Sequence, residues 1–305
     1  MIHGVLNVYK EAGFTSHDVV AKLRGILKMK KIGHTGTLDP DATGVLPVFL
    51  GKATKLCELL AGEDKTYEAV LRLGITTDTQ DISGTVIKET NPAVTEKEAI
   101  SCIRSFEGEY MQVPPMYSAL KVNGKKLYEL AREGKTVERK ARPVHFYRIE
   151  ILKTDLPEIR FSVTCSKGTY IRTLCHDIGE KLGCGACMKS LIRTRVGRFD
   201  VKDSRTLEQI QKLADCGRVQ EAILPLDQMF DRDPAVVAGS SLQKRVYNGN
   251  SFYGRDLPRP VPGLKDGCRV RVYDGGGAFV GLYRYREKED EFRLVKMFRD
   301  GGGQG

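Results

Sequence analysis

The most constraining feature of the sequence is a change of pattern around residue 230. Up to about residue 225, segments with helical spacing alternate with strand-like segments, which is typical of a mixed α/β domain. The Pro- and Asp-bearing stretch 225–234 is typical of a linker. Short alternating segments of a small β-rich, barrel-type module follow at 268–273, 278–285 and 292–298. The chain of 305 residues can hold both parts, and we predict domains over 1–230 and 231–305, with a disordered Gly-rich end.

Local signals position the other elements. A strand over 4–9 precedes a helix over 16–29, where Thr15 and Asp18 resemble a capping box at the N terminus. Further helices are predicted over 54–61 and 95–106, and strands over 66–73, 83–88, 144–153 and 158–165. The most unusual segment is a Gly- and hydroxyl-rich loop over 33–44, which leads into an apolar run.

The charge balance indicates an anionic partner. The chain carries 49 Lys and Arg against 39 Asp and Glu, which favours nucleic acid over a membrane surface. Residues 121–142 contain eight Lys or Arg and three Asp or Glu. This run is either a solvated helix or hairpin face, or an RNA-facing protrusion in which tyrosines and the Asn123-Gly124 turn interleave with the charge. Because phosphate contacts release counterions, RNA affinity should fall steeply with added salt.

Several function classes lack their motifs. No Gly-Lys pair has the spacing of a P-loop, and neither a GxSxG elbow nor an HExxH zinc motif is present. The run from Asp39 resembles the start of an EF-hand loop, but Leu50 stands where the bidentate carboxylate is needed. Cys184 and Cys187 have no companion pair, so we predict no metal site. The absence of an apolar span or export signal predicts a cytoplasmic protein with no membrane partner.

Asp39 is the candidate functional residue of the loop. Glycines on both sides allow close approach of the backbone to a ligand, and Pro40 restricts the preceding residues to extended geometry. The carboxylate would then project in a fixed direction. Composition alone favours a simpler interpretation, an Asx-Pro turn in which Asp39 bonds to its own backbone, and His34 fits an ordinary surface histidine.

A series of segments resembles, in the right order, the motifs of bacterial TruB-type tRNA pseudouridine-55 synthases. The resemblance covers residues 3–230, and the β module stands where that family carries its PUA RNA-binding domain. Residues 4–16 resemble the N-terminal stretch, apart from Asn7 and Val8 before its lysine. The other matches are KIGHTGTLDPDATGVLP (31–47), KTY (65–67), PPMYSALKVNG (114–124), CSKGTYIR (165–172) and LIRTRVGRF (191–199).

This resemblance implies a fold and three catalytic residues. The fold is the pseudouridine synthase α/β (α+β) fold, with a mixed central sheet, a basic RNA-contacting insertion at about 105–150 and a C-terminal PUA-like β barrel. Asp39 aligns with the essential aspartate that breaks the glycosidic bond, and Tyr67 with the tyrosine that stacks on the base and serves as general base. Arg172 aligns with the arginine paired with the carboxylate, which would counter the effect of burial on its pKa. In an extended segment, Arg172 would share one strand face with Tyr170.

The resemblance also implies four substrate-binding residues. Tyr170 matches a tyrosine that bonds near the reacting nucleotide, and Leu191 a leucine that packs against the flipped base. His34 matches a histidine that helps to hold the extruded conformation, and Lys10 stands at the lysine of the N-terminal motif. Without the resemblance, Tyr67 and Leu191 would fit ordinary core packing.

The implied function is isomerisation of uridine-55 in the T loop of tRNA to pseudouridine, without a cofactor, by a monomer that binds the T stem-loop. A rival within the class is the guide-RNA-dependent H/ACA-type synthase, whose members carry extra N-terminal sequence or Lys-rich tails. A rival from another class is a non-catalytic tRNA-binding or folding chaperone, which would not need Asp39. The chemical route stays open, because attack at C1′, addition at C6 and a glycal pathway all use one carboxylate.

Overall fold

The fold consists of two unequal sheets with helices packed around them. The structure is a computed structural model. It describes residues 2–122 and 124–299, except for the side chain of Leu59. The predicted disordered end at 301–305 and the turn position Asn123 lie outside the described residues. A ten-stranded sheet forms in the first part of the chain and a five-stranded sheet in the last part. The predicted combination of a mixed α/β part and a β module is confirmed.

In chain order, the first elements are β1 (Gly4–Lys10), α1 (Ser16–Ile26), β2 (Ile32–His34), β3 (Thr43–Leu50), α2 (Cys57–Leu60), β4 (Lys65–Leu73), β5 (Ile75–Thr77), β6 (Val86–Glu89), α3 (Glu96–Arg104) and β7 (Gly108–Gln112). There follow β8 (Lys121–Val122), β9 (Lys125–Lys126), α4 (Leu127–Arg132), β10 (Arg142–Asp155), β11 (Glu158–Cys165), α5 (Ile171–Lys181), β12 (Ala186–Val196), β13 (Phe199–Asp200), α6 (Leu207–Asp215) and β14 (Ile223–Leu224). The C-terminal module contains β15 (Ala235–Val237), α7 (Gln243–Tyr247), β16 (Phe252–Tyr253), β17 (Arg269–Tyr273), β18 (Phe279–Arg286) and β19 (Glu291–Met297).

The centre of the large sheet joins segments that are far apart in sequence. The strand order is β14-β1-β3-β12-β4-β11-β10-β7, with β2 on β3 and β13 on β12. The β12–β3 pair is parallel and β12–β4 is antiparallel, so β12 lies between the strand that follows the Asp39 loop and the strand that carries Tyr67. At this junction Gly44 has φ 105°, and a Cβ there would lie 2.2 Å from the carbonyl oxygen of Arg193. Only glycine permits this approach of β3 to β12.

Two apolar cores pack against this sheet. One core joins β4, β11 and β12 to α3 and α5 and includes Leu38, Tyr67 and Leu191. A second core joins β1 and β3 to α1 and α6. Strand β4 has the alternating burial expected of a half-covered strand, with odd-numbered positions such as Tyr67 and Ala69 inside. Hydrophobic burial therefore fixes which side chains of β4 face the Asp39 loop.

Two predicted helices differ from the structure at their ends. The capping box of α1 is confirmed, since Asp18 N donates to Thr15 Oγ1 and Thr15 N donates to the Asp18 carboxylate. However, α1 ends at Ile26 instead of residue 29, because Lys28 adopts a left-handed φ of 49°. The predicted helix over 54–61 begins within a 3-10 turn at Gly51–Leu56 and continues as the short α2.

The predicted basic insertion is narrower than 105–150. Strands β7 and β10 pair with each other in the large sheet, so residues on both flanks of the insertion belong to the central fold. Only residues 113–141 leave the sheet, with the β8–β9 hairpin and α4 among them. Most of the Lys and Arg side chains of this excursion are exposed.

The stretch 225–234 is packed, in contrast to the exposed linker suggested by its composition. Met229 and Phe230 are buried in a core that also contains Leu282 and Phe298 of the C-terminal module and Val45 of β3. The module therefore packs directly on the first part of the chain, while the boundary at residue 230 stays a prediction. Within residues 2–122 and 124–299, no helix is long and apolar enough to cross a membrane.

Candidate active site

The loop between β2 and β3 is anchored on both sides of Asp39. The backbone N–H of Leu38 donates to Ser16 Oγ at 3.0 Å, and this hydroxyl lies 3.3 Å from the Leu38 carbonyl oxygen. On the other side, the Pro40 carbonyl accepts from Lys10 Nζ at 2.9 Å and from the backbone N–H of Gly13 at 3.1 Å. These contacts hold Asp39 in place without using its carboxylate. The Asx-Pro turn alternative does not describe this side chain, because its carboxylate pairs with an arginine instead.

Asp39 and Arg172 form an ion pair. Arg172 Nε lies 3.1 Å from Asp39 Oδ2, and Arg172 Nη1 lies 3.6 Å from Asp81 Oδ2. The Arg172 side chain is only 7% exposed, whereas that of Asp39 keeps 47% exposure. One buried guanidinium thus links two carboxylates, of which Asp39 is the more open to solvent and therefore to a substrate.

Two backbone carbonyls also accept hydrogen bonds from the Arg172 guanidinium and so fix its orientation. Nη1 donates to the carbonyl of Thr79 at 3.2 Å and Nη2 to that of Tyr117 at 2.9 Å. Thr79 lies between β5 and β6, and Tyr117 lies in the excursion 113–141. A planar fork of N–H donors can satisfy all these acceptors at once, which an ammonium group cannot. The position of Arg172 therefore depends on two segments outside its own helix.

The expected strand geometry of Tyr170 and Arg172 is wrong. Tyr170 is the residue before α5, with φ −108° and ψ 110°, and Arg172 is the second residue of that helix. The two side chains reach the site because the chain turns from extended to helical between them. Gln112 of β7 holds this turn, as its Nε2 donates to the Tyr170 carbonyl at 3.0 Å and its Oε1 accepts from the Tyr170 N–H at 2.8 Å.

Burial and charge act in opposite directions on Asp39. Burial raises the pKa of Asp39 above its ordinary value, the Arg172 guanidinium lowers it, and Asp81 raises it again. Removal of Arg172 would leave burial and Asp81 opposed only by the smaller effect of Lys10, so that the anionic form would be lost at a higher pH. The carboxylate depends on Arg172 for its ionisation as well as its position.

Tyr67 and Leu191 form the apolar side of the site. Tyr67 on β4 and Leu191 on β12 are each 8% exposed and share a core with Leu38, next to Asp39 in sequence. Burial raises the pKa of Tyr67, and the Arg193 guanidinium opposes this rise. Burial also raises the pKa of the half-buried Tyr170. A flipped base that reached Asp39 would therefore meet aromatic and aliphatic surface.

His34 lies at the end of β2, before the loop. Its ring makes an edge contact with the His17 ring, with centroids 5.4 Å apart. Burial, followed by the charges of His17 and Arg193, lowers the pKa of His34 to about 4. At neutral pH His34 is therefore uncharged in the protein without RNA.

Lys10 is buried and holds the Asp39 loop. The residue is 0% exposed, and its Nζ donates to the carbonyls of Glu11, Phe14 and Pro40 at 3.1, 2.6 and 2.9 Å. Burial lowers the pKa of this amine to about 8. All three N–H groups of the ammonium donate within the protein. Lys10 therefore has no free N–H group for the direct contact with substrate that the motif led us to expect.

Substitution of Lys10 by Met tests whether Lys10 positions the Asp39 loop or contacts the RNA. We expect the single-turnover rate on RNA to fall about 10- to 100-fold and the unfolding temperature to drop, since three carbonyls lose a donor at roughly 1–3 kcal/mol each. The dissociation constant for RNA and its salt dependence should not change. A loss of affinity with a shallower salt slope would instead show that Lys10 binds a phosphate.

Asp81 is a residue of the site that the sequence analysis missed. Nothing in the run Asp78-Thr79-Gln80-Asp81 marks it, because its contact with Arg172 depends on the fold of the β5–β6 connection. Gln112 and Ser16 were missed for the same reason. Their partners are backbone atoms of residues 58 and 22 positions away. A side chain that bonds to distant backbone leaves no local pattern.

Replacement of Asp81 by Asn tests its role. We expect a 5- to 30-fold lower single-turnover rate at unchanged RNA affinity, which corresponds to about 1–2 kcal/mol for a partly buried charge contact to Arg172. Asp78→Asn, in the same connection, is the control. Equal effects of the two substitutions would contradict a specific contribution of Asp81.

No metal centre is evident. Within residues 2–122 and 124–299, no group of three or more His, Cys, Asp or Glu side chains could hold a metal ion. Cys184 and Cys187 are buried free thiols.

Protein-family models match most of the chain. The model of the TruB family pseudouridylate synthase N-terminal domain matches residues 24–171, and that of the tRNA pseudouridylate synthase B C-terminal domain matches residues 172–231. A tRNA pseudouridine synthase B from Lachnoclostridium phytofermentans is 49% identical over 97% of this chain and 100% of its own length. One from Clostridium kluyveri is 45% identical over 97% of this chain and 99% of its own.

Solved structures share the fold. The structure of an H/ACA RNP bound to a substrate RNA containing 2'-deoxyuridine includes a chain with a TM-score of 0.71 and 28% identity, covering 98% of this chain and 86% of that one. A chain of a Cbf5-Nop10-Gar1 complex gives a TM-score of 0.71 and 30% identity, with coverage of 97% and 85%. The family models and the near full-length relatives show that this chain belongs to the TruB family of pseudouridylate synthases.

Proposed function

We propose that this protein is the tRNA isomerase that converts uridine-55 of the T loop into pseudouridine, with Asp39 acting at the glycosidic bond. Relatives with 43–49% identity over nearly the full chain bear the name tRNA pseudouridine synthase B, which supports the reaction and the class of RNA. The observation that carries the assignment of Asp39 is its 3.1 Å ion pair with Arg172 on an anchored, partly open loop.

The reaction explains why a paired carboxylate is required. The N1–C1′ bond of uridine breaks, a C5–C1′ bond forms, and a proton leaves C5 while N1 gains one, so there is no net change of redox state. A carboxylate beside the ribose can attack a carbon centre or stabilise positive charge on the sugar, but only as the anion. Arg172 opposes the effect of burial on the pKa of Asp39 and so favours this anion.

The apolar side of the site suits a base that has left its stack. Extrusion of a nucleotide costs a few kcal/mol, and stacking on an aromatic ring returns about 1–3 kcal/mol. We assign Tyr67 to this stacking and to proton removal, and Leu191 to the wall that keeps the detached base from water. Tyr170 and neutral His34 then contact the extruded nucleotide, while Lys10 acts only by holding the loop.

Basic surfaces outside the site would supply most of the affinity for the T stem-loop. The excursion 113–141 and the C-terminal module carry exposed Lys and Arg, and Tyr117 of the excursion contacts Arg172 through its carbonyl. RNA bound to the excursion would thus lie against the segment that positions the catalytic arginine. We assign the protein to the cytoplasm, where tRNA is modified, and expect a monomer.

Tritium release tests the proposed function. A T-arm hairpin labelled with tritium at C5 of its uridines should release one equivalent of tritium with the wild-type protein alone, and a transcript with cytidine at position 55 should release none. Binding of the hairpin without release by the wild type would support the chaperone alternative instead.

The guide-dependent alternative has one observation in its favour, the TM-score of 0.71 to a chain of an H/ACA RNP. Sequence identity to that chain is 28%, against 49% to the Lachnoclostridium relative. We therefore favour the guide-independent enzyme. If turnover of the hairpin required an added guide RNA, this choice would be wrong.

A further inference from the structure

Arg193 is a buried cation without a carboxylate partner among the described residues. It is 1% exposed and lies on β12. Its Nε donates to the Val45 carbonyl of β3 at 2.8 Å, and its Nη2 has no hydrogen-bond partner within the part of the chain that the structure describes. A guanidinium in this position is costly unless it serves a nearby group that carries or develops negative charge.

Tyr67 is the group that faces it. Arg193 and Tyr67 are direct cross-strand partners in the β12–β4 ladder, and both side chains are buried. Directly opposed residues on antiparallel strands point to the same face of the sheet, with Cβ atoms about 5 Å apart. The Tyr67 ring and the Arg193 guanidinium therefore lie side by side at the apolar wall of the site.

The Asp39 loop is shaped around this guanidinium. A Cβ on Gly36, where φ is 70°, would lie 3.2 Å from Arg193 Nη1, and a Cβ on Gly44 would collide with the Arg193 backbone. The glycines at both ends of the loop let it cover Arg193 closely. The cation is thus enclosed by the loop that carries Asp39, the carbonyl of Val45 and the ring of Tyr67.

The two groups influence each other's ionisation. Burial lowers the pKa of Arg193, and interaction with Tyr67 opposes this. Burial raises the pKa of Tyr67, and the charge of Arg193 opposes that rise. A guanidinium only donates, so it makes the Tyr67 oxygen an acceptor and turns the phenol proton away from itself.

We propose that Arg193 is a positioning residue that prepares the Tyr67 oxygen to remove the proton from C5 of the rearranged base. This inference rests on the proposed isomerase function. In the fraction of the protein in which Tyr67 has lost its phenol proton to solvent, the Arg193 cation stabilises the phenolate. After the C5–C1′ bond has formed, the C5–H bond breaks and its proton moves to the Tyr67 oxygen. Its electron pair forms the C5=C6 double bond, the π pair of the C6=N1 bond moves to N1, and N1 takes a proton from solvent. The proton then passes to solvent.

The test compares Arg193→Met, Arg193→Lys, Tyr67→Phe and the Tyr67→Phe/Arg193→Met double variant in single-turnover reactions with a T-arm hairpin. Loss of the Arg193 charge beside Tyr67 should slow Arg193→Met about 10- to 100-fold without changing hairpin affinity. Arg193→Lys keeps the charge and should recover part of the rate. The double variant should be no slower than Tyr67→Phe, because Arg193 acts through Tyr67.

A second measurement distinguishes this role from a structural one. With deuterium at C5, the isotope effect on the rate should be larger for Arg193→Met than for the wild type, because proton removal limits the slower reaction more strongly. Arg195→Met, which removes an exposed charge from the same strand, is the matched control and should leave the isotope effect unchanged.

Independent, multiplicative effects of the Tyr67 and Arg193 substitutions, or an isotope effect that does not increase, would overturn the inference. If Arg193→Met does not fold, the Lys variant and its combination with Tyr67→Phe carry the same comparison. If the wild-type protein forms no pseudouridine, the proposed function itself is refuted. If the wild type is active and Tyr67→Phe reacts at the same single-turnover rate, only the role of Tyr67, and with it that of Arg193, is refuted.

Discussion

Replacement of Asp39 by Asn should lower the single-turnover rate of pseudouridine formation by at least about 10⁴-fold while the RNA still binds. The amide is nearly isosteric but cannot attack a carbon centre or stabilise positive charge on the ribose, which removes the reacting group itself. The loop should stay in place, because its anchors are the contacts of Leu38 with Ser16 and of Pro40 with Lys10. Tritium release from a C5-labelled hairpin measures the rate, and filter binding measures the affinity.

Asp41→Asn is the matched control for Asp39. It changes the same functional group two positions along the same loop, where the side chain has no ion pair among the described residues. Its rate should stay within about threefold of the wild type, the effect of a distant charge in partly aqueous surroundings. Substantial turnover by Asp39→Asn would contradict the whole assignment of the site.

Conversion of Arg172 to Lys should lower the rate about 10²- to 10³-fold at unchanged affinity, although the charge is kept. The guanidinium contacts Asp39, Asp81 and the carbonyls of Thr79 and Tyr117 in separate directions. A lysine can replace only some of these contacts, and each lost contact to a charged group is worth roughly 1.5–3 kcal/mol. Asp39 would then be both misplaced and more easily protonated.

A pH series separates these two consequences. Because Arg172 lowers the pKa of Asp39 against the effect of burial, its weakening moves the protonation of Asp39 to higher pH. The acid-side loss of activity, which follows the carboxylate becoming neutral as pH falls, should therefore begin at a higher pH in Arg172→Lys than in the wild type. If activity is lost at the same low pH in Arg172→Lys and in the wild type, the substitution acts only by misplacing the Asp39 carboxylate.

Family motifs in the sequence identify Asp39, Tyr67 and Arg172 as the candidate catalytic residues. Local patterns also predicted the capping box of α1, the alternation of β4 and the β module, since each depends on residues a few positions apart. The expectation that Tyr170 and Arg172 share a strand face was wrong because the extended-to-helical turn between them is held by Gln112, 58 residues from Tyr170.

The sequence by itself determined the family and the class of fold, because ordered motifs and short spacings carry both, and the proposed role of Asp39 follows from its place in one of those motifs. The tertiary structure alone decided that Lys10 is enclosed, that Asp81 is the second carboxylate on Arg172, and that Arg193 lies beside Tyr67. The physical reason is that these contacts arise from strand register and from side chains that bond to distant backbone. Such pairings are set by burial and hydrogen bonding over the whole sheet, and no local pattern encodes them.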